Sequence, residues 1–170
     1  MPFAELLRAT VFLTAGGATA LGAIAVLGAG SGDNATLLLV GAAWWLVAAW
    51  IGLALGTAER SAESVRETLA AARTVTAGSP GVGLPSPGRV AWMRLWPILA
   101  AVGLTGALGI VFPEVAVVGS GYALVVSLAW RNRESAVLAI EGRDGVRFLV
   151  ESGHAFRPLK LVRTPGFRAF

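Results

Sequence analysis

The chain alternates between long apolar segments without charge and shorter polar segments that contain all of the charged residues. Four apolar segments stand out, at 9–29, 35–56, 95–112 and 115–130. A helix needs roughly 20 mostly apolar residues to cross the hydrocarbon of a bilayer, where its own hydrogen bonds must satisfy every backbone group. The pattern therefore predicts an all-α membrane protein with four transmembrane helices in two hairpins, at 1–56 and 91–130.

The fourth segment is short for a span. At 1.5 Å per residue it reaches only about 24 Å, so we expect it to continue past Trp130 or to cross where the bilayer is thin. The alternative is a re-entrant hairpin, in which the third and fourth segments turn back at Pro113 and Glu114. The first segment, by contrast, is too long for a signal-peptide core, which usually has about 7–15 residues, and it is predicted to be a retained span.

Composition and charge agree with this architecture and orient it. The chain is 55% hydrophobic and only 14% charged, with a mean hydropathy of +0.70. Positive residues near span ends are retained in the cytoplasm. All 14 basic residues, a single Lys among them, precede the first span, follow the fourth, or lie between the second and third. This predicts cytoplasmic termini. The preference for Arg over Lys suggests the codon usage of a GC-rich bacterial genome, so the expected location is a bacterial inner membrane.

The segment at 57–77 has the pattern of an amphipathic helix that continues the second span into the cytoplasm. Its apolar positions are spaced alternately by four and three residues, which is the seam of a coiled coil. These positions are Ala58, Ala62, Val65, Leu69, Ala72 and Thr76. A separate stripe of Glu59, Glu63 and Glu67 is either a solvated face or a docking surface for the basic tail.

Two further segments complete the cytoplasmic part. The segment at 78–90 is rich in Gly and Pro and is predicted to be a linker between the hairpins. The tail at 131–170 is predicted to contain a small β-hairpin, because apolar and polar residues alternate at 146–150 and a partner strand fits at 159–162. The residues at 132–141 suit either helix or strand, and we favour helix.

Small residues at helical spacing predict where the spans pack, because close backbone approach drives helix association in lipid. The selected positions are Gly52 and Gly56 in the second span, Gly109 in the third and Gly119 in the fourth. The same lines could instead face another copy, so a homo-oligomer is expected, or an unidentified membrane partner. Trp44, Trp45 and Trp50 fall inside a span, so each indole N–H is expected to bond an acceptor on a neighbouring helix.

Basic residues at the span ends predict contact with anionic lipid headgroups. The candidates are Arg89, Arg94, Arg131 and Arg133. Nucleic acid is not an expected partner, because at a membrane the nearest polyanion is lipid.

No motif indicates catalysis, a cofactor or a metal. The chain has no Cys and one His, His154, and its spans contain no ionisable group of the kind that transporters and pumps use. We therefore expect no enzymatic activity. The predicted function is a structural or protein-interaction role for a self-associating membrane protein, and the alternative is an oligomeric channel or small-solute pore.

Overall fold

A computed structural model describes residues 1–30, 35–74, 86–151, 155 and 159–165. Helices dominate these residues, and a small sheet accompanies them. The helices are α1 (Phe3–Gly30), α2 (Ala35–Leu55), α3 (Ala58–Ala70), α4 (Pro87–Val111), α5 (Pro113–Trp130) and α6 (Arg133–Asp144), and the strands are β1 (Arg73–Thr74), β2 (Val146–Val150) and β3 (Leu161–Pro165).

The chain divides into two compact units. Residues 10–57 and 97–131 form the first, which we call the membrane unit. Residues 1–9, 58–96 and 132–170 form the second, the α/β unit. α1 and α4 each contribute one end to the α/β unit and the rest to the membrane unit.

Four helices are long and apolar enough to cross a bilayer: α1, α2, α4, and α5 together with α6. The predicted membrane fold is confirmed, and the fourth apolar helix does continue past Trp130, with only a short turn at Arg131 and Asn132. α4 begins at Pro87, inside the segment predicted to be linker, because Pro is favoured in a first turn and the Ser86 carbonyl accepts the Arg89 N–H at 3.0 Å. Pro97 therefore lies within α4, not at its start.

The amphipathic helix predicted after the second span is present as α3, but it is a separate helix and does not continue α2. α2 ends at Leu55 and α3 begins at Ala58, with Gly56 and Thr57 between them. Gly favours helix termination, which explains the break. α3 also ends before 77, and its buried line is Ser61, Val65 and Leu69, whereas Ala58 is exposed. Thr76 lies outside the described residues.

The predicted β-hairpin is present, and it belongs to a larger sheet. β2 pairs antiparallel with β3, and β1 pairs parallel with the other edge of β3. The N-terminus adds to β2, because the Val150 N–H donates to the Met1 carbonyl at 2.9 Å and Pro2 forms a bridge with Leu149. The sheet therefore joins segments from the beginning, middle and end of the sequence.

The favoured helix at 132–141 is confirmed as α6. It ends at Gly145, whose φ of 62° is the left-handed conformation that Gly adopts at helix ends. The Glu141 carboxylate then accepts the backbone N–H of Phe148 at 2.8 Å, which fixes the start of β2 against the helix. Phe148 and Val150 are buried and Arg147 is exposed, as their alternation predicts.

Candidate functional site

The middle of the membrane unit contains a polar and aromatic cluster between α2 and α5. Trp45 donates its indole N–H to the Ser120 hydroxyl oxygen at 2.7 Å, and Ser120 donates to the Val117 carbonyl at 2.9 Å. The expectation that a Trp within the span bonds a neighbouring helix is confirmed for Trp45. Such a bond is the usual solution where hydrocarbon offers no acceptor.

Trp44 departs from that expectation. Its indole N–H is buried and finds no acceptor among the residues that the structure describes. The indole lies over Gly121, where an added Cβ would overlap the ring nitrogen. The Trp44 ring also packs edge to face against the Tyr122 ring, with the ring centroids 5.6 Å apart. Trp50 is 72% exposed and faces outward.

An open, mainly apolar groove of about 430 Å³ adjoins this cluster on the outer surface of α4 and α5. It is lined by Thr105, Glu114, Val115, Val118, Gly119 and Tyr122. Tyr122 is 62% exposed although it lies near the middle of α5. Tyr is usually found at the ends of spans, where its hydroxyl reaches water, so this position is unusual.

The four glycines selected from the sequence all lie at close helix approaches. An added Cβ at Gly52 would meet the Leu128 Cβ at 2.8 Å, and one at Gly56 would overlap the Leu128 carbonyl oxygen. One at Gly109 would meet the Ala116 Cβ at 2.6 Å, and one at Gly119 would overlap the Thr105 side chain. These contacts hold α2 and α4 close to α5.

In α1, the close approach to a neighbouring helix is at Gly17 and not at Gly22. Gly17 approaches Val102 of α4, where an added Cβ would meet the side chain at 2.9 Å, whereas Gly22 has nothing within 4 Å.

The four candidate lipid-contact arginines differ in exposure. Arg89 and Arg131 are exposed, whereas Arg94 and Arg133 are half-buried. Arg89 precedes Trp92 and Trp96 on one face of α4, and these indoles are 67% and 42% exposed. This arrangement of a cation and two amphipathic rings is typical of a membrane interface.

The part of the chain that the structure describes contains no group of three or more His, Cys, Asp or Glu residues able to hold a metal ion. Glu59, Glu63 and Glu67 are all exposed, and Glu63 pairs with Arg66 of its own helix at 3.8 Å. Exposure of all three side chains fits the predicted solvated face, and docking of the basic tail on this stripe stays a prediction. His154 lies outside the described residues.

Comparison of the chain with family models, with curated proteins and with solved structures finds no match in any of the three.

The Trp45 and Ser120 hydrogen bond gives a first testable prediction. Ser120→Ala removes the acceptor and is expected to lower the free energy of unfolding by about 1 kcal/mol, because a buried donor then has no partner. Ser135→Ala is the control, since its exposed hydroxyl donates only to the Asn132 carbonyl of the preceding turn. Equal effects of the two substitutions, measured by unfolding in mixed micelles, would contradict the assigned role of Ser120.

Proposed function

We propose that this chain is a self-associating membrane protein with a structural or protein-interaction role, which displays the α/β unit at the cytoplasmic face of a bacterial inner membrane. One observation carries the proposal: the α/β unit is assembled from three segments that the spans separate in sequence. Pairing of Met1 with Val150 and of β1 with β3 joins these segments. In this proposal the spans anchor the α/β unit to the membrane.

Exposed positive charge supports contact with anionic headgroups. Arg89 and Arg131 are the exposed members of the predicted lipid-contact set, and Arg147, Lys160 and Arg163 add exposed cations on the hairpin. Each Lys or Arg near an anionic surface contributes about 1 kcal/mol of attraction at low salt. We propose that Arg89, together with Trp92 and Trp96, anchors the start of α4 among headgroups.

That anchor has a direct test. Arg89→Gln in the full chain is expected to lower the fraction of labelled anionic lipid retained near the protein in mixed nanodiscs, measured by energy transfer from the neighbouring indoles. Arg66→Gln is the matched control, because Arg66 is exposed but pairs with Glu63 in α3. If the control lowers the signal as much as Arg89→Gln, the interaction is a general charge effect and the anchor is wrong.

Self-association is tested by mass. Light scattering of the purified chain in nanodiscs or detergent is expected to give a multiple of the 17.5 kDa protomer. A monomer at all concentrations would contradict self-association. A closed ring of several copies would make single-channel conductance the next measurement, because the pore alternative requires such a ring with a polar axis.

A further inference from the structure

Tyr122 has a hydroxyl in a place where lipid cannot satisfy it. Its side chain is 62% exposed, and it lies nine residues after Pro113 in a helix of 18 residues. A hydroxyl moved into hydrocarbon without a hydrogen bond costs several kcal/mol. A lipid chain could fill the adjoining groove but could not accept this proton. The Tyr122 hydroxyl therefore favours contact with a polypeptide that supplies a hydrogen-bond acceptor.

A matching acceptor is present on the outward face of α1. The Thr19 side chain is exposed, and its hydroxyl donates to the Ala15 carbonyl at 3.0 Å, which leaves the oxygen lone pairs available. Its immediate neighbours on that surface, Gly16, Ala20 and Ala23, are small and exposed, and the large exposed side chains of Phe12 and Leu27 lie seven and eight residues away. On the outward face of α2, Leu39, Leu46 and Trp50 are 72%, 74% and 72% exposed, and none of these side chains offers an oxygen acceptor.

The two hydroxyls lie at the same depth. Gly28 of α1 and Pro113 of α5 are in close approach, since a Cβ added to Gly28 would meet the Pro113 ring at 2.9 Å. Thr19 precedes Gly28 by nine residues, and Tyr122 follows Pro113 by nine residues. At 1.5 Å per residue, both lie about 13.5 Å from that contact along antiparallel helices.

We infer that Tyr122 of one copy packs on the outward face of α1 in a second copy and donates its hydroxyl proton to Thr19. The inference rests on the proposed self-association and names its interface. Each copy presents two different surfaces, the Tyr122 groove and the α1 face. The contact is therefore heterologous, and repetition gives a closed ring or an open array.

The absence of cysteine from the sequence allows a clean cross-linking test. Val118 lines the groove five residues after Pro113, and Ala23 is exposed five residues before Gly28, so this pair is matched in depth. Chains carrying Val118→Cys are mixed in nanodiscs with chains carrying Ala23→Cys and oxidised. A mixed disulfide dimer is expected, with neither variant cross-linking efficiently to itself.

The matched control replaces Ala23→Cys with Ala42→Cys. Ala42 is exposed on α2 and adjoins Gly41, which lies against Val117 of α5, so it has the same depth on a different face. Efficient cross-linking of Val118→Cys to itself or to Ala42→Cys would overturn the assigned interface while leaving self-association intact. A monomeric mass for the parent chain would overturn the proposed function as well.

Substitution of the hydroxyls gives a second readout. Tyr122→Phe keeps the ring and its contact with Trp44 but removes the donor, so association is expected to weaken about threefold, the usual effect of one interhelical hydrogen bond. Thr19→Val should weaken it similarly, and the double variant should be no weaker than either single variant. Additive effects would show that the two hydroxyls do not bond each other and would overturn the pairing.

Discussion

Gly56→Ala is expected to destabilise the membrane unit by about 3 kcal/mol. The reason is steric: a Cβ at Gly56 would overlap the backbone carbonyl oxygen of Leu128 in α5. A backbone atom cannot rotate away, so the two helices would have to separate.

Gly103→Ala is the matched control for this prediction. Gly103 is exposed on α4 and has nothing within 4 Å of an added Cβ. The control is expected to leave stability unchanged or raise it slightly through helix propensity. The measurement is reversible unfolding of the full chain in mixed micelles, and equal stability of the two variants would contradict the close α2 and α5 contact.

Phe148→Ala is expected to destabilise the α/β unit by about 3–5 kcal/mol. Phe148 is 3% exposed in β2, and truncation would leave a cavity beneath a sheet of only three strands. The readout is amide hydrogen exchange of the full chain in nanodiscs. Protection should fall at the β2 and β3 amides and at the Val150 N–H, which bonds Met1.

Leu138→Ala provides the comparison within the same unit. Leu138 is 50% exposed on α6, so its truncation removes little buried surface and is expected to change exchange only slightly. Exchange in α2 should stay slow in both variants if the two units are separately stable. Unchanged protection of the sheet in Phe148→Ala would show that Phe148 does not hold the sheet in place.

The sequence predicts well those elements that the lipid environment requires or that a clear local pattern specifies. The spans follow from the lipid requirement for long uncharged helices. The Trp45 hydrogen bond follows from the same requirement, although its partner Ser120 lies 75 residues away and could not be chosen in advance. The strand at Val146–Val150 follows from a clear alternation of apolar and polar residues.

Other features depend on choices that local pattern cannot decide. The parallel pairing of β1 and the bond to Met1 join distant segments, and neither has a strong strand pattern of its own. The heptad spacing after Gly56 suggests one continuous helix and gives no sign of the break there. In α1, Gly17 and Gly22 are chemically equivalent, and only the position of Val102 decides which one packs.

The Tyr122 groove was also outside the reach of sequence patterns. A lone Tyr within an apolar segment indicates neither its depth nor its neighbours, and the depth match with Thr19 depends on the contact of Gly28 with Pro113. Periodicity identifies which residues share a face of one helix, but not which face remains uncovered when the helices pack. That information appears only in the assembled membrane unit.

Single-cysteine labelling of intact cells tests most directly whether the chain crosses the membrane four times and places the α/β unit in the cytoplasm. Glu114 and Lys160 are both exposed, so cysteine at either position should react if reagent reaches it. We predict that a membrane-impermeant maleimide labels Glu114→Cys from outside and labels Lys160→Cys only after permeabilisation. Labelling of Lys160→Cys in intact cells, with Glu114→Cys protected, would contradict the account.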